Sequence, residues 1–335
     1  MKTQAAVIAL AVALFATVAF ADHNHTDSLG LKQGHWTEED ADGFAGEGEY
    51  VHGKKTGHWI IRAPDGGVME THYVNGKWHG KWVMRAPDGG VVESHYVNGK
   101  KHGKEIVRRA DGSVDEGEYV NDKRHGHWVE RLADDVVVAE GKYVEGKKNG
   151  HWVLRFANGD VQEGPMVDGK RHGDWVERYA DGEVYEGPFV DGEEHGHWVL
   201  RGADGGVQEG HFVDGKRHGH WVLRGAGGTV AEGPFVDGKQ TDHWVYRYAD
   251  GGVHEGPMLY DKRHGKWIMR HANGNVSEGE FVAGKRYGHW VLRFANGIVA
   301  EGPYVDGKEH GQWIMRGPDG TEKKVNWRNG EIVDE

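Results

Sequence analysis

Gly150-His151-Trp152-Val153-Leu154-Arg155-Phe156-Ala157-Asn158-Gly159-Asp160-Val161-Gln162-Glu163-Gly164-Pro165-Met166-Val167-Asp168-Gly169-Lys170-Arg171-His172 decides the fold. Two strong turn dipeptides, Asn158-Gly159 and Asp168-Gly169, divide it; Asn or Asp followed by Gly tolerates the positive φ angles that tight hairpin turns demand. Between the turns lie short runs of β-formers with period-two spacing, the mark of strands that bury one face. The stretch therefore predicts a hairpin, with the second turn leading into another. A helical reading fails, because glycine recurs roughly every five to ten residues along the chain and costs about 1 kcal/mol at each helical position.

The same unit recurs on both sides of this stretch. Tryptophan follows Gly-x at Trp36, Trp59, Trp82, Trp128, Trp152, Trp175, Trp198, Trp221, Trp244, Trp267, Trp290 and Trp313. The steps are 23 residues or multiples of it, except for one step of 24, whose extra residue lies within Leu132–Glu140. Glu105 holds the place where a further Trp would fall between Trp82 and Trp128. Counting it gives about thirteen copies from Gly34 onward. The expected fold class is all-β: an elongated, single-layer antiparallel meander of hairpin repeats. At ~4.8 Å per strand and two strands per copy, it would be rod-like, on the order of 120 Å in length.

A three-residue first loop, Asn158-Gly159-Asp160, would set Trp152 opposite Met166 and Arg155 opposite Glu163, with Arg178 opposite Glu186 in the next copy. One face would then carry Trp, the aromatic or Met, and the glycine before it, where the missing side chain leaves room for an indole. The other would carry Val153, Val161, Val167 and the Arg–Glu pair. Arg recurs from Arg62 to Arg316, and Glu from Glu47 to Glu301, in the same phases. A charged binding ladder is one reading of this regularity; a structural ion pair in each hairpin is the favoured one.

Composition narrows the function classes. The 335 residues include 55 Gly, 14 Trp, 24 His and no Cys. A hydrophobic content of 37 % points to a thin, repeated core rather than one large one. Lys and Arg number 41 against 53 Asp and Glu, for a net charge of −12. That argues against nucleic acid or an anionic membrane as partner, since both select basic surfaces.

The N-terminus reads as a signal peptide over residues 1–21. Lys2 precedes the apolar run Ala5–Phe20, and Ala19-Phe20-Ala21 has the small-x-small form of a cleavage site. Residues 22–33 read as a polar linker and 34–333 as the repeat array. The expected location is secreted or periplasmic, and removal of Lys2 would make the mature chain more acidic by one charge.

Tyr185-Glu186-Gly187-Pro188-Phe189-Val190-Asp191-Gly192-Glu193-Glu194-His195-Gly196 resembles the MORN repeat, whose pattern is Tyr-x-Gly-x-aromatic-x-x-Gly-x-x-x-Gly. The resemblance runs from residue 34 to about 330. The leading Tyr is mostly absent elsewhere, and the Gly-x-Trp form is closer to the bacterial YwqK-type variant. What the resemblance implies is a twisted sheet of hairpins used for scaffolding, self-association or lipid contact.

Histidines flank the Gly that follows each second turn. They coincide as His-Gly-His at His125/His127, His195/His197 and His218/His220. Two imidazoles one residue apart could share a Zn, Cu or Ni ion, but two ligands fall short of the three or four protein ligands of usual zinc sites. Turn and surface roles are the favoured reading. No thiol exists, no Ser sits in a nucleophile elbow, and no Gly-rich turn ends as a phosphate loop. The expectation is thus a non-enzyme without cofactor: an exported scaffold with an extended surface for a protein or a cell-surface polymer. The alternative is a His-rich metal-binding protein of the cell envelope.

Overall fold

In the computed structural model, residues 23–333 are described; the expected signal peptide lies outside them. The described residues form strands and turns and contain no helix. The described residues divide into two compact units between Val136 and Val137. The boundary falls within the irregular Leu132–Glu140 stretch that carries the extra residue. In each unit the strands form an antiparallel meander, every hairpin following the last. The stretch before Gly34 is more than a linker: His25–Thr26 pairs with Lys32–Gln33, and Asp27 accepts the backbone N–H groups of Leu29 and Leu31.

Two turns alternate. At the second, Asp168 and Gly169 both have positive φ (51° and 87°), and Val167 pairs with Lys170. That is the two-residue type I′ geometry whose twist matches the strands it joins. The first turn differs from expectation. Its three loop residues are Ala157-Asn158-Gly159, because the Phe156 N–H bonds the Asp160 carbonyl and the Gly159 N–H bonds the Phe156 carbonyl. This is a type I turn closed by a left-handed Gly. The Asn158 side-chain oxygen accepts the Asp160 N–H and fixes the loop's centre one residue earlier than expected.

Moving the centre by one residue moves each facing pair by two. Trp152 lies opposite Gly164, not Met166; Gly150 takes Met166, and Arg155 faces Val161 rather than Glu163. In the next hairpin, likewise, Trp175 faces Gly187 and Arg178 faces Val184 rather than Glu186. A shift of two preserves the face of each side chain, so the expected division into a Trp face and a Val/Arg/Glu face stands.

The core is a file of rings. Trp59, Trp128, Trp152, Trp175, Trp198, Trp221, Trp244, Trp267, Trp290 and Trp313 are buried. Each lies over the glycine eleven residues before it, in the preceding hairpin: a Cβ on Gly187 would stand 2.3 Å from Trp198. Between successive indoles sits an aromatic ring, edge to face, or a methionine, as at Met166 and Met258. Phe189 lies 6.1 Å from Trp175 and 5.1 Å from Trp198, within the range where such pairs attract beyond area burial. Each hairpin therefore packs chiefly against its chain neighbours.

A bulge aims the indole. Phe189 pairs with Glu194, and the His195 N–H bonds the Pro188 carbonyl; Glu186 then pairs with Val199, so extra residues have entered one strand. Gly196 takes φ +74° there. Trp198 donates its indole N–H to the same Pro188 carbonyl at 3.0 Å. Asp242 takes the equivalent left-handed position at φ 53°, where the other copies have Gly.

Candidate binding surface

The tryptophan rings themselves are covered. Besides being buried, the rings are roofed by cations: Arg171 lies 4.7 Å over Trp175, Arg217 4.5 Å over Trp221, Arg286 4.5 Å over Trp290 and Lys55 4.0 Å over Trp59. Each guanidinium or ammonium uses the negative ring face while its stem covers apolar surface. A carbohydrate-stacking role for the Trp columns has no exposed ring to act through.

One copy departs in a compensated way. Ser94 holds the glycine place, and eleven residues later Glu105 holds the Trp place. Ser94 donates its hydroxyl to Glu105 at 2.5 Å, and Lys101 pairs with the same carboxylate. Glu105 is 5 % exposed, so a hydrogen-bonded carboxylate fills the space of an indole. In the preceding copy the compensation is incomplete. Thr71 takes the glycine place against Trp82, and both the Thr71 hydroxyl and the Trp82 N–H are buried without a hydrogen-bond partner. Trp78 packs beside Trp82, with ring centres 6.2 Å apart.

The opposite face is open and repeats hairpin by hairpin. It carries the Arg–Glu pairs, though not within hairpins. Arg178 pairs with Glu163 at 2.6 Å, Arg201 with Glu186 at 2.5 Å, Arg224 with Glu209 at 2.6 Å and Arg247 with Glu232 at 2.5 Å. Arg155 reaches Glu140 at 3.8 Å. Because Arg155 faces Val161, the arginine leans diagonally to the glutamate of the preceding copy. Each pair thus ties adjacent hairpins together. The arginines hold Glu209, Glu301 and Glu116 below the ordinary glutamate range by direct hydrogen bonds. These pairs are half-exposed, and such pairs contribute at most about 1 kcal/mol each. A second column on this face is apolar: Val167, Val190, Val213, Val236, Val282 and Val305, each beside a type I′ turn, remain exposed.

The histidine motifs separate rather than converge. His195 leans to Asp214, 3.8 Å away, whereas His197 meets His211 with ring centres 5.4 Å apart. His218 faces His211, but His220 faces Pro234. His125 pairs in register with Glu118, two residues from His127 across the left-handed Gly126. The bulge sends the two members of each motif to different partners. Among the described residues no group of three or more His, Cys, Asp or Glu side chains could hold a metal ion. His254, not singled out in the sequence, is half-buried beside His271 and Arg263; burial foremost pushes its pKa down to about 4.

No family model matches the chain, and no curated protein matches it. Solved structures do. The TCP domain of Drosophila melanogaster SAS-4, in complex with a proline-rich motif of Ana2, is 12% identical, covering 53% of this chain and 90% of that one at a TM-score of 0.29. The TCP10 domain of Danio rerio CPAP, in complex with a STIL peptide, is 13% identical over 73% and 92% at 0.22. A catalytically inactive virginiamycin B lyase from Staphylococcus aureus with quinupristin is 12% identical over 85% and 100% at 0.16. At these TM-scores the likenesses carry nothing about what this chain does.

Proposed function

We propose that the chain is an exported, non-catalytic scaffold of MORN-like repeats whose open face binds a protein or cell-surface ligand along several hairpins. One observation carries this reading. The open face offers the same exposed valine, Arg–Glu pair and histidine column in hairpin after hairpin, while ten of the tryptophans are buried in the core. Identical modest contacts repeated along a surface favour multivalent binding over a single deep site. The departures from the repeat, at Ser94–Glu105 and at Asp242, serve packing and backbone needs and assemble no nucleophile, base and orienting group.

Val190→Glu, Val213→Glu and Val236→Glu, singly and combined, test the reading. Binding is measured to envelope or medium fractions of the source organism immobilised on a surface. Each single change should weaken binding modestly, and the triple change should weaken it at least as much as the three combined. Abolition by one variant with no effect from the others would point to a single site instead. Export is checked by N-terminal sequencing of the chain from its source, which should begin at Asp22.

A further inference from the structure

The open face also brings together histidines that lie far apart in the sequence motifs. In each hairpin, the residue after Gly faces the residue before the aromatic. Four copies put His opposite Pro there: His151 with Pro165, His220 with Pro234, His243 with Pro257 and His289 with Pro303. Two copies put His opposite His: His58 with His72 in the first unit, and His197 with His211 in the second. Their ring centres lie 5.2 and 5.4 Å apart, and all four residues are exposed. Two imidazoles on one tetrahedral ion, with metal–nitrogen bonds of about 2.0–2.1 Å, place their ring centres roughly 5 Å apart. The spacing already present is therefore the spacing a shared ion needs, and only side-chain rotation is required.

Each pair has a carboxylate beside it on the same face, two residues before the second His. Glu70 gives one oxygen to Arg85 at 2.6 Å and turns the other toward His58 Nε2, 3.9 Å away. Glu209 is likewise bonded to Arg224 and lies two positions from His211. These carboxylates offset the neighbouring guanidinium charge that would otherwise repel a cation. The other close His pair within the array, His254–His271 at 5.1 Å, has Arg263 against it and lacks this arrangement.

We propose that His58–His72 and His197–His211 are two cross-strand chelates for a borderline divalent cation of the Zn or Ni type. Neutral imidazole suits such ions. Two protein nitrogens leave the remaining positions to water, so each is an exchangeable surface site rather than a structural one. Binding requires both rings to be unprotonated, since a ligating imidazole offers the ion a free ring nitrogen.

Calorimetric titration of the full chain with Zn(II) and Ni(II) at pH 7.5 tests this. His72→Gln and His211→Gln should each remove one equivalent of the tighter binding, and the double variant should remove both. His220→Gln and His243→Gln, which alter exposed histidines facing proline, should leave those equivalents in place. Circular dichroism of each variant confirms that the fold is retained. Equal losses from the proline-facing controls, or unchanged binding in His211→Gln, would overturn the proposal.

Discussion

A missing Cβ decides where each indole lies. Trp198 occupies the volume that any side chain at position 187 would claim, so Gly187→Ala should displace the ring and destabilise its hairpin by about 1–3 kcal/mol, the cost of overpacking. The converse change should stabilise. Thr71 is 1 % exposed with an unpartnered hydroxyl, facing an unpartnered Trp82 N–H. Each such buried group costs about 1–3 kcal/mol, more than the roughly 0.5–1 kcal/mol penalty of glycine in a strand. Thr71→Gly should therefore raise the melting temperature; a fall would show that Trp78 has locked Trp82 in place. Ser94 and Glu105 supply a stricter test. Glu105→Trp alone sets an indole against the Ser94 side chain, whereas Ser94→Gly with Glu105→Trp restores the common pair. The double-mutant cycle should show a favourable coupling of about 0.5–3 kcal/mol; additivity would contradict the packing account. Glycine and tryptophan depart together at Ser94 and Glu105, but Thr71 departs with Trp82 retained, so this coupling was not read from the sequence. Nor was the roof of Arg and Lys, because Arg171 and Arg217 follow the turn as surface residues would.

At the scale of the hairpin, turn chemistry and periodicity foretold the strands, both turns and the division of faces. The register was missed by two residues because Asn158-Gly159 marks a turn without saying which residue is its centre. A hydrogen bond from Asp160 N–H to the Asn158 side chain settles that. The same error hid the meaning of the Arg–Glu columns, which join neighbouring hairpins rather than close single ones, and it hid the facing histidines. The corrected pairing has a pH consequence. Arg224 lowers the folded-state pKa of Glu209, so its stabilisation is present above the unfolded value of about 4.3 and is lost as pH falls through the lower folded value. His254 acts earlier. Its folded pKa of about 4 lies below the ordinary 6.5, so protons favour the unfolded chain between those values. The unfolding midpoint should fall from pH 6.5 toward 4, and fall less in His254→Gln. It should drop further below pH 4.3, less steeply in Arg224→Gln. Identical pH profiles for the variants and the parent would refute these assignments.

For the molecule as a whole, stability is shared among neighbours: ten tryptophans lean on the previous hairpin's glycine, and the recurring arginines, as at Arg178, Arg201 and Arg224, on the preceding copy's Glu. Such one-dimensional coupling lets a long surface be built from one short sequence rule. It also leaves one face free of structural duty apart from exposed ion pairs. The function was the part least readable from the chain, because a repeating surface names no partner by its chemistry. Hydrogen exchange of the chain alone and cross-linked to its captured ligand tests the central claim most directly. The account predicts added protection in several consecutive hairpins, recurring every 23 residues. Protection confined to a single hairpin would contradict it.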